Sequence, residues 1–140
     1  MKIAQYIVVE KNHSVEEILK EMKEKNISIT FINSENLADC REIEIAAYLT
    51  YFAFLSTPTS KKIENEFLLQ LGGERQINKA IEKFKPKEDK NFIAVYFGEE
   101  NLQQILNKYG LKIKGEFDKK IENKKLFEIL EKRSISLIKE

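Results

Sequence analysis

The sequence is poor in the residues that usually mark a reactive or cross-linked protein. Its 140 residues include one cysteine, one histidine, two prolines, five glycines and no tryptophan. The lone Cys40 excludes an internal disulfide framework and a cluster of thiolate metal ligands, and the lone His13 excludes any site that needs two imidazoles. A Gly-rich phosphate loop, a nucleophile elbow and kinase motifs are also absent. The sequence therefore carries no recognisable enzyme signature, and we expect no cofactor and no metal.

The charge balance limits the kinds of partner. The chain has 24 Lys and Arg against 23 Asp and Glu, a net charge of +1. This balance argues against a protein that coats long nucleic acid, but it leaves room for a local RNA contact. Charged residues make up 34% of the chain, and the preference for Lys and Glu is typical of a thermophile. The length suits one domain over residues 1–140, and the single cysteine favours the cytoplasm.

Hydrophobic periodicity predicts a mixed α/β fold in which several helices pack on a small sheet. Alternation predicts strands at 2–9, 27–32 and 111–117, and the apolar run 92–97 predicts a central strand. Residues 2–9 lack a cleavage site, so we expect a strand there rather than a signal peptide. The predicted helices lie at 14–25, 39–56, from Ser60 to Leu71, from about 74 to 84, between Gly98 and Gly110, and around 126–130. The tail 135–138 is either a further strand or a continuation of the last helix.

The helix at 39–56 is unusually apolar. Asp39 and Glu42 have the spacing of a capping box, as do Ser14 and Glu17 at the first helix. Eleven of the thirteen residues from 43 to 55 are apolar. Because a bilayer span needs about 20 residues, this helix is either central to the core or partly covered by another protein.

Cys40 has two readings. It falls at the first turn of the apolar helix, where the helix dipole could lower the pKa of a thiol and make it nucleophilic. Asp39 and Glu42 oppose thiolate formation, which favours a small buried hydrophobe instead. A small enzyme that uses Cys40 is therefore the weakest hypothesis.

A glycine pair joins two helices at 68–81. The first helix stops at Gly72 and Gly73, and the next begins directly, which is expected to leave free backbone N–H groups at Glu74, Arg75 and Gln76. Such a corner, close to Arg75 and Lys79, could hold a phosphate. The alternative is a tight corner whose glycines serve geometry alone.

The corner carries a family resemblance. The pattern Leu71 to Ile81, an apolar helix ending in glycines followed by Gln-Ile-x-x-Ala-Ile, resembles the KEOPS subunit known as PRPK-binding protein (TPRKB-like), in its archaeal form. The resemblance extends to the strand ending at Asn33, to strand 92–97 and to the acidic turn 98–100. The sequence departs from the family pattern at Lys61 and Lys62, and at the aromatic end of the helix at 39–56.

The resemblance implies a function and a set of site residues. The implied protein binds the small kinase-like ATPase of KEOPS and helps to recruit the CCA end of tRNA for threonylcarbamoyladenosine modification, without catalysis of its own. The alternative is a stand-alone RNA- or nucleotide-binding module. The tRNA-binding residues implied are Lys61, Lys62, Gly72, Gly73, Arg75, Gln76 and Lys79. The partner-binding residues expected on the apolar helix are Tyr48, Tyr51, Phe52 and Phe54, covered either by the ATPase or by another copy in a weak homodimer.

Overall fold

The computed structural model describes residues 3–55 and 62–138, with Ile138 described by its backbone only. These ranges contain four strands and six helices. The strands are β1 (Gln5–Val9), β2 (Ile29–Ile32), β3 (Phe92–Tyr96) and β4 (Ile113–Gly115). The helices are α1 (Val15–Glu24), α2 (Arg41–Leu55), α3 (Ile63–Gly72), α4 (Ile77–Phe84), α5 (Leu102–Lys108) and α6 (Asn123–Ile138). The predicted mixed α/β fold class is confirmed.

The chain divides into two compact units, which are described separately. The sheet unit comprises 1–35 and 84–117, and the helical unit comprises 36–83 and 118–140. The single domain over 1–140 stays a prediction.

The sheet is antiparallel, with the strand order β2-β3-β1-β4. Ala94 at the middle of β3 lies opposite Ile7 of β1 and Phe31 of β2. All five residues of β3 are buried, which confirms the predicted central strand. The edge strand β4 is shorter than predicted, and its pairing with β1 shifts register between Val8 and Val9.

One face of the sheet forms the core of the sheet unit. Alternate residues of three strands point to this face, as the two-residue period of a strand requires, and helices α1 and α5 cover it. The rings of Phe31 and Phe92 pack with centroids 4.8 Å apart. The core residues contributed by the two helices are Val15, Met22, Leu102, Ile105 and Leu106.

The start of α1 differs from the predicted capping box. The side chain of Ser14 makes no capping hydrogen bond, because its backbone (φ −100°, ψ 16°) lies outside the extended conformation that a capping residue adopts. Instead Asn12 Oδ1 accepts a 2.8 Å hydrogen bond from the Ser14 N–H.

The helical unit is built around α3. Most of this helix is buried, including both of its glutamates, Glu64 and Glu66. It packs against α2 and α6. The predicted start at Ser60 lies outside the described residues, and the described helix begins after Lys62. The tail 135–138 continues α6 and is not a strand.

Gly73 ends α3 in the left-handed conformation, with φ +64°. A Cβ at this position would lie 3.1 Å from the Arg133 Cα on α6. The glycine therefore serves both the helix end and the close approach of α6.

Replacing Gly73 with alanine should destabilise the protein more than the same change at Gly110. Both glycines have left-handed φ, but nothing lies within 4 Å of a Cβ built at Gly110. Gly110→Ala should lose about 1–2 kcal/mol to backbone strain, and Gly73→Ala about 1–3 kcal/mol more because Arg133 must move. Urea unfolding followed by circular dichroism measures both. Equal losses of stability in the two variants would mean that α6 can move away from a Cβ at Gly73 without a cost in free energy.

Candidate functional site

A buried carboxylate organises the chain just before α2. Asp39 is fully buried. Its Oδ1 accepts hydrogen bonds from the N–H (2.8 Å) and Nε (3.0 Å) of Arg41, and its Oδ2 accepts from Nη2 of Arg41 (2.8 Å) and the Ile121 N–H (2.9 Å). The hydrogen bond to the Arg41 guanidinium holds the pKa of Asp39 well below its usual range, although burial alone would raise it.

A second buried carboxylate caps the same helix. Glu42 Oε2 accepts hydrogen bonds from the N–H groups of Ala38 (2.6 Å) and Asp39 (2.8 Å), which is the reach-back expected of a capping box. The Asp39 side chain bonds to Arg41 rather than to the Glu42 N–H, so only this half of the predicted box forms. Glu42 Oε1 makes an ion pair with Arg133 of α6.

Cys40 is buried at the start of α2. Burial raises the pKa of its thiol, and the neighbouring charges of Asp39 and Glu44 raise it further. A thiol with a raised pKa is a poor nucleophile. The geometry supports the reading of Cys40 as a packing residue.

The second half of α2 carries an exposed apolar surface, which we call the α2 patch. It consists of Tyr48, Leu49, Tyr51, Phe52 and Leu55, all exposed. The ring of Phe52 packs against Tyr48 and Tyr51, with centroids 5.0 and 6.1 Å apart. No charged residue occurs from Ile45 to Leu55. Contiguous exposed apolar side chains of this kind mark interaction surfaces.

The structure places the predicted partner-binding residues unequally. Tyr48, Tyr51 and Phe52 belong to the α2 patch, whereas Phe54 is half-buried. Leu49 and Leu55 were not among the predicted partner-binding residues, which were all aromatic. Helical spacing could have found Leu55, since it lies three residues from Phe52 and four from Tyr51.

The glycine corner is built differently from the prediction. Gly72 and Gly73 are buried, and the Glu74 N–H donates a 3.0 Å hydrogen bond to the Leu69 carbonyl. The prediction of a free N–H at Glu74 is therefore wrong, because the end of α3 uses that group to close its last turn. The Gly72 carbonyl accepts a 3.3 Å hydrogen bond from Lys83 Nζ.

Arg75 faces the end of α6. Its Nε and Nη2 donate to the Leu137 carbonyl at 3.1 and 2.9 Å. A guanidinium on the last carbonyls of a helix is favourable because it complements the negative end of the helix dipole. The Arg75 side chain thus has a structural contact as well as an exposed position.

The remaining residues predicted to bind tRNA do not all lie together. Gln76 and Lys79 are exposed at the start of α4. Lys62 precedes the first residue of α3, so one ten-residue helix separates it from the corner, a length of about 15 Å. Lys61 lies outside the described residues.

Two further observations concern the described part of the chain. No group of three or more His, Cys, Asp or Glu side chains is placed there to hold a metal ion. None of the helices described is long and apolar enough to cross a membrane.

Comparison with protein-family models identifies a family that covers nearly the whole chain. A family model described as kinase binding protein CGI-121 matches residues 8–139. Only the first seven residues and the last one fall outside the match. A search of curated proteins found no match.

Asp39→Asn should remove a pH-dependent part of the stability. The pKa of Asp39 is lower in the folded state than in the unfolded chain, so its contribution is present above about pH 4 and is lost as the pH falls further. At pH 7 we expect a loss of about 2 kcal/mol, less than for a fully buried pair because Arg41 is 32% exposed.

Urea unfolding of both proteins between pH 7 and pH 2 measures this difference. The gap between wild type and Asp39→Asn should narrow as the pH falls. Asp89→Asn, at an exposed carboxylate, is the control and should change stability little. A gap that stays constant down to pH 2 would contradict an ionised, stabilising Asp39.

Proposed function

The chain belongs to the CGI-121 family of kinase-binding proteins, and on that premise we propose that it is the non-catalytic KEOPS subunit that binds the small kinase-like ATPase. We further propose that it helps to recruit the CCA end of tRNA for threonylcarbamoyladenosine modification in the cytoplasm. Family membership supports the kinase partner. The KEOPS and tRNA roles rest on the resemblance of the glycine corner.

The α2 patch is the surface proposed to contact the kinase. It offers five large apolar side chains on one helix with no charge from Ile45 to Leu55. Aromatic residues are enriched and charged residues depleted at the centres of protein interfaces. Tyrosine and phenylalanine also present a large contact area with few rotatable bonds, so little side-chain entropy is lost on binding. The patch is the single structural observation that supports α2 as the proposed contact surface, while the family match supports a kinase as the partner.

The glycine corner is the surface proposed to contact tRNA. Arg75, Gln76 and Lys79 are exposed there, while the buried glycines shape the turn and do not themselves offer surface. A few cations beside exposed polar groups suit a single-stranded end, which is held by stacking and backbone contacts. The balanced net charge of the chain agrees with a contact of this limited size.

Phe52→Ser should weaken binding of the purified kinase-like subunit. Removing an aromatic side chain from the centre of an interface typically lowers affinity about 30-fold or more. The matched control is Ile135→Ser on α6, because Ile135 is 52% exposed and Phe52 is 51% exposed. Isothermal titration calorimetry of wild type and both variants measures the three affinities.

The comparison separates the possible outcomes. Loss with Phe52→Ser alone supports the α2 patch. Equal loss in both variants would contradict a contact confined to α2. If the wild type bound tRNA but no kinase-like protein, the stand-alone RNA-binding reading would replace the proposal.

Lys79→Glu should lower tRNA affinity and its salt dependence. Loss of one phosphate contact reduces the slope of log affinity against log salt by about 1. Lys79 is a cleaner test than Arg75, whose guanidinium also holds the end of α6. Lys114→Glu in the exposed edge strand makes the same change in net charge and is the control. Filter binding over a range of salt concentrations measures the tRNA affinity of both variants. Identical slopes of log affinity against log salt for the two variants would argue against a tRNA site at the corner.

A further inference from the structure

A small groove lies between α2 and α6 in the helical unit. Its walls are mainly aliphatic, and it has a volume of about 50 Å³. The residues that line it are Glu42, Ile45, Ala46 and Leu49 of α2, Gln70 of α3, and Leu130, Arg133, Ser134 and Leu137 of α6. Leu49 belongs to the α2 patch as well, so the groove opens beside that patch.

The charged residues of the groove already neutralise each other. Glu42 and Arg133 form an ion pair, and their side chains are 0% and 15% exposed. Glu42 also accepts two backbone hydrogen bonds at the start of α2. The pair is therefore part of the fold, and it does not select a charged ligand. The aliphatic walls select an apolar group instead.

The volume indicates the size of that group. A space of about 10–15 Å³ holds one water-sized atom, so the groove has room for about four non-hydrogen atoms. This is the size of a leucine, isoleucine or methionine side chain. An aliphatic side chain buried in a pocket is one of the anchors around which a binding interface is built.

Two segments of the helical unit lie outside the described residues, and neither carries such a group. Residues 56–61 read Ser-Thr-Pro-Thr-Ser-Lys, and residues 139–140 are Lys-Glu. The groove is continuous with the exposed α2 patch through Leu49, which supports an occupant that comes from a partner. The family makes that partner a kinase.

We propose that the groove between α2 and α6 receives one aliphatic side chain of the kinase as the anchor of the complex. This inference rests on the proposed kinase-binding function, and it adds α6 to the contact surface. The α2 patch then surrounds the anchor on one side and excludes water from it, as near-neutral contacts do around a hot spot.

The test fills the groove after the protein has folded. Ser134 is exposed on the groove wall, so Ser134→Cys can be modified with propyl methanethiosulfonate, which attaches one sulfur and three carbons through a disulfide and so matches the size of the groove. Ser136→Cys, modified in the same way, is the matched control, because it lies two residues along and on another face of α6. Treated wild type controls for Cys40, which is buried.

Calorimetry with the purified kinase-like subunit then gives a decisive pattern. The proposal expects modified Ser134→Cys to bind about 30-fold more weakly, modified Ser136→Cys to bind like wild type, and dithiothreitol to restore binding. If the modified Ser134→Cys and Ser136→Cys proteins both bound like wild type, or both lost the same affinity, the groove would not be the anchor site. The proposed kinase-binding function would remain in place. A wild type that binds no kinase would overturn the proposed function itself.

Discussion

The helical unit depends on two buried carboxylates at the start of α2, Asp39 and Glu42, each of which is paired with an arginine. Burying a carboxylate costs several kcal/mol unless it is paired and hydrogen-bonded. Asp39 accepts hydrogen bonds from Arg41 and from the Ile121 N–H, and Glu42 forms an ion pair with Arg133 and accepts hydrogen bonds from two backbone N–H groups. Two of these partners lie far along the chain, so α2 reaches its buried arrangement only when the C-terminal segment is in place. The pair of Glu42 and Arg133 joins α2 to α6, and both residues line the groove.

Helix α6 connects the two surfaces to which functions are proposed. Arg133 packs against Gly73 at the corner and pairs with Glu42 in the groove. The Leu137 carbonyl accepts from Arg75 at the corner, while Leu137 also lines the groove. A phosphate that drew the Arg75 guanidinium away would remove a contact from the last turn of α6. The surface proposed for tRNA and the groove proposed for the kinase therefore share contacts with α6.

Local patterns predicted the elements well, whereas contacts between distant residues lay beyond them. The apolar spacing of the helices and the run 92–97 placed nearly every element to within a few residues, because burial on one face leaves a regular period. The glycine pair marked the end of α3, yet the sequence did not show that Gly73 is needed for the approach of Arg133. That contact, like the pairing of Glu42 with Arg133, joins residues that only the folded chain brings together. At Ser14 the prediction failed for a local reason. The capping-box spacing is present, but the backbone conformation of Ser14 does not allow its side chain to cap α1.

The composition of α2 is hard to explain by folding alone. Lys and Glu are frequent in this charge-rich chain, and both favour a helix more than Tyr or Phe does. At exposed positions such as Tyr48, Tyr51 and Phe52 a charged residue would keep the core intact and would raise solubility. The aromatic residues there contribute little to folding because much of their surface stays in water. A surface that becomes buried in a complex would account for them, which agrees with the proposed kinase contact at the α2 patch and at the groove beside it.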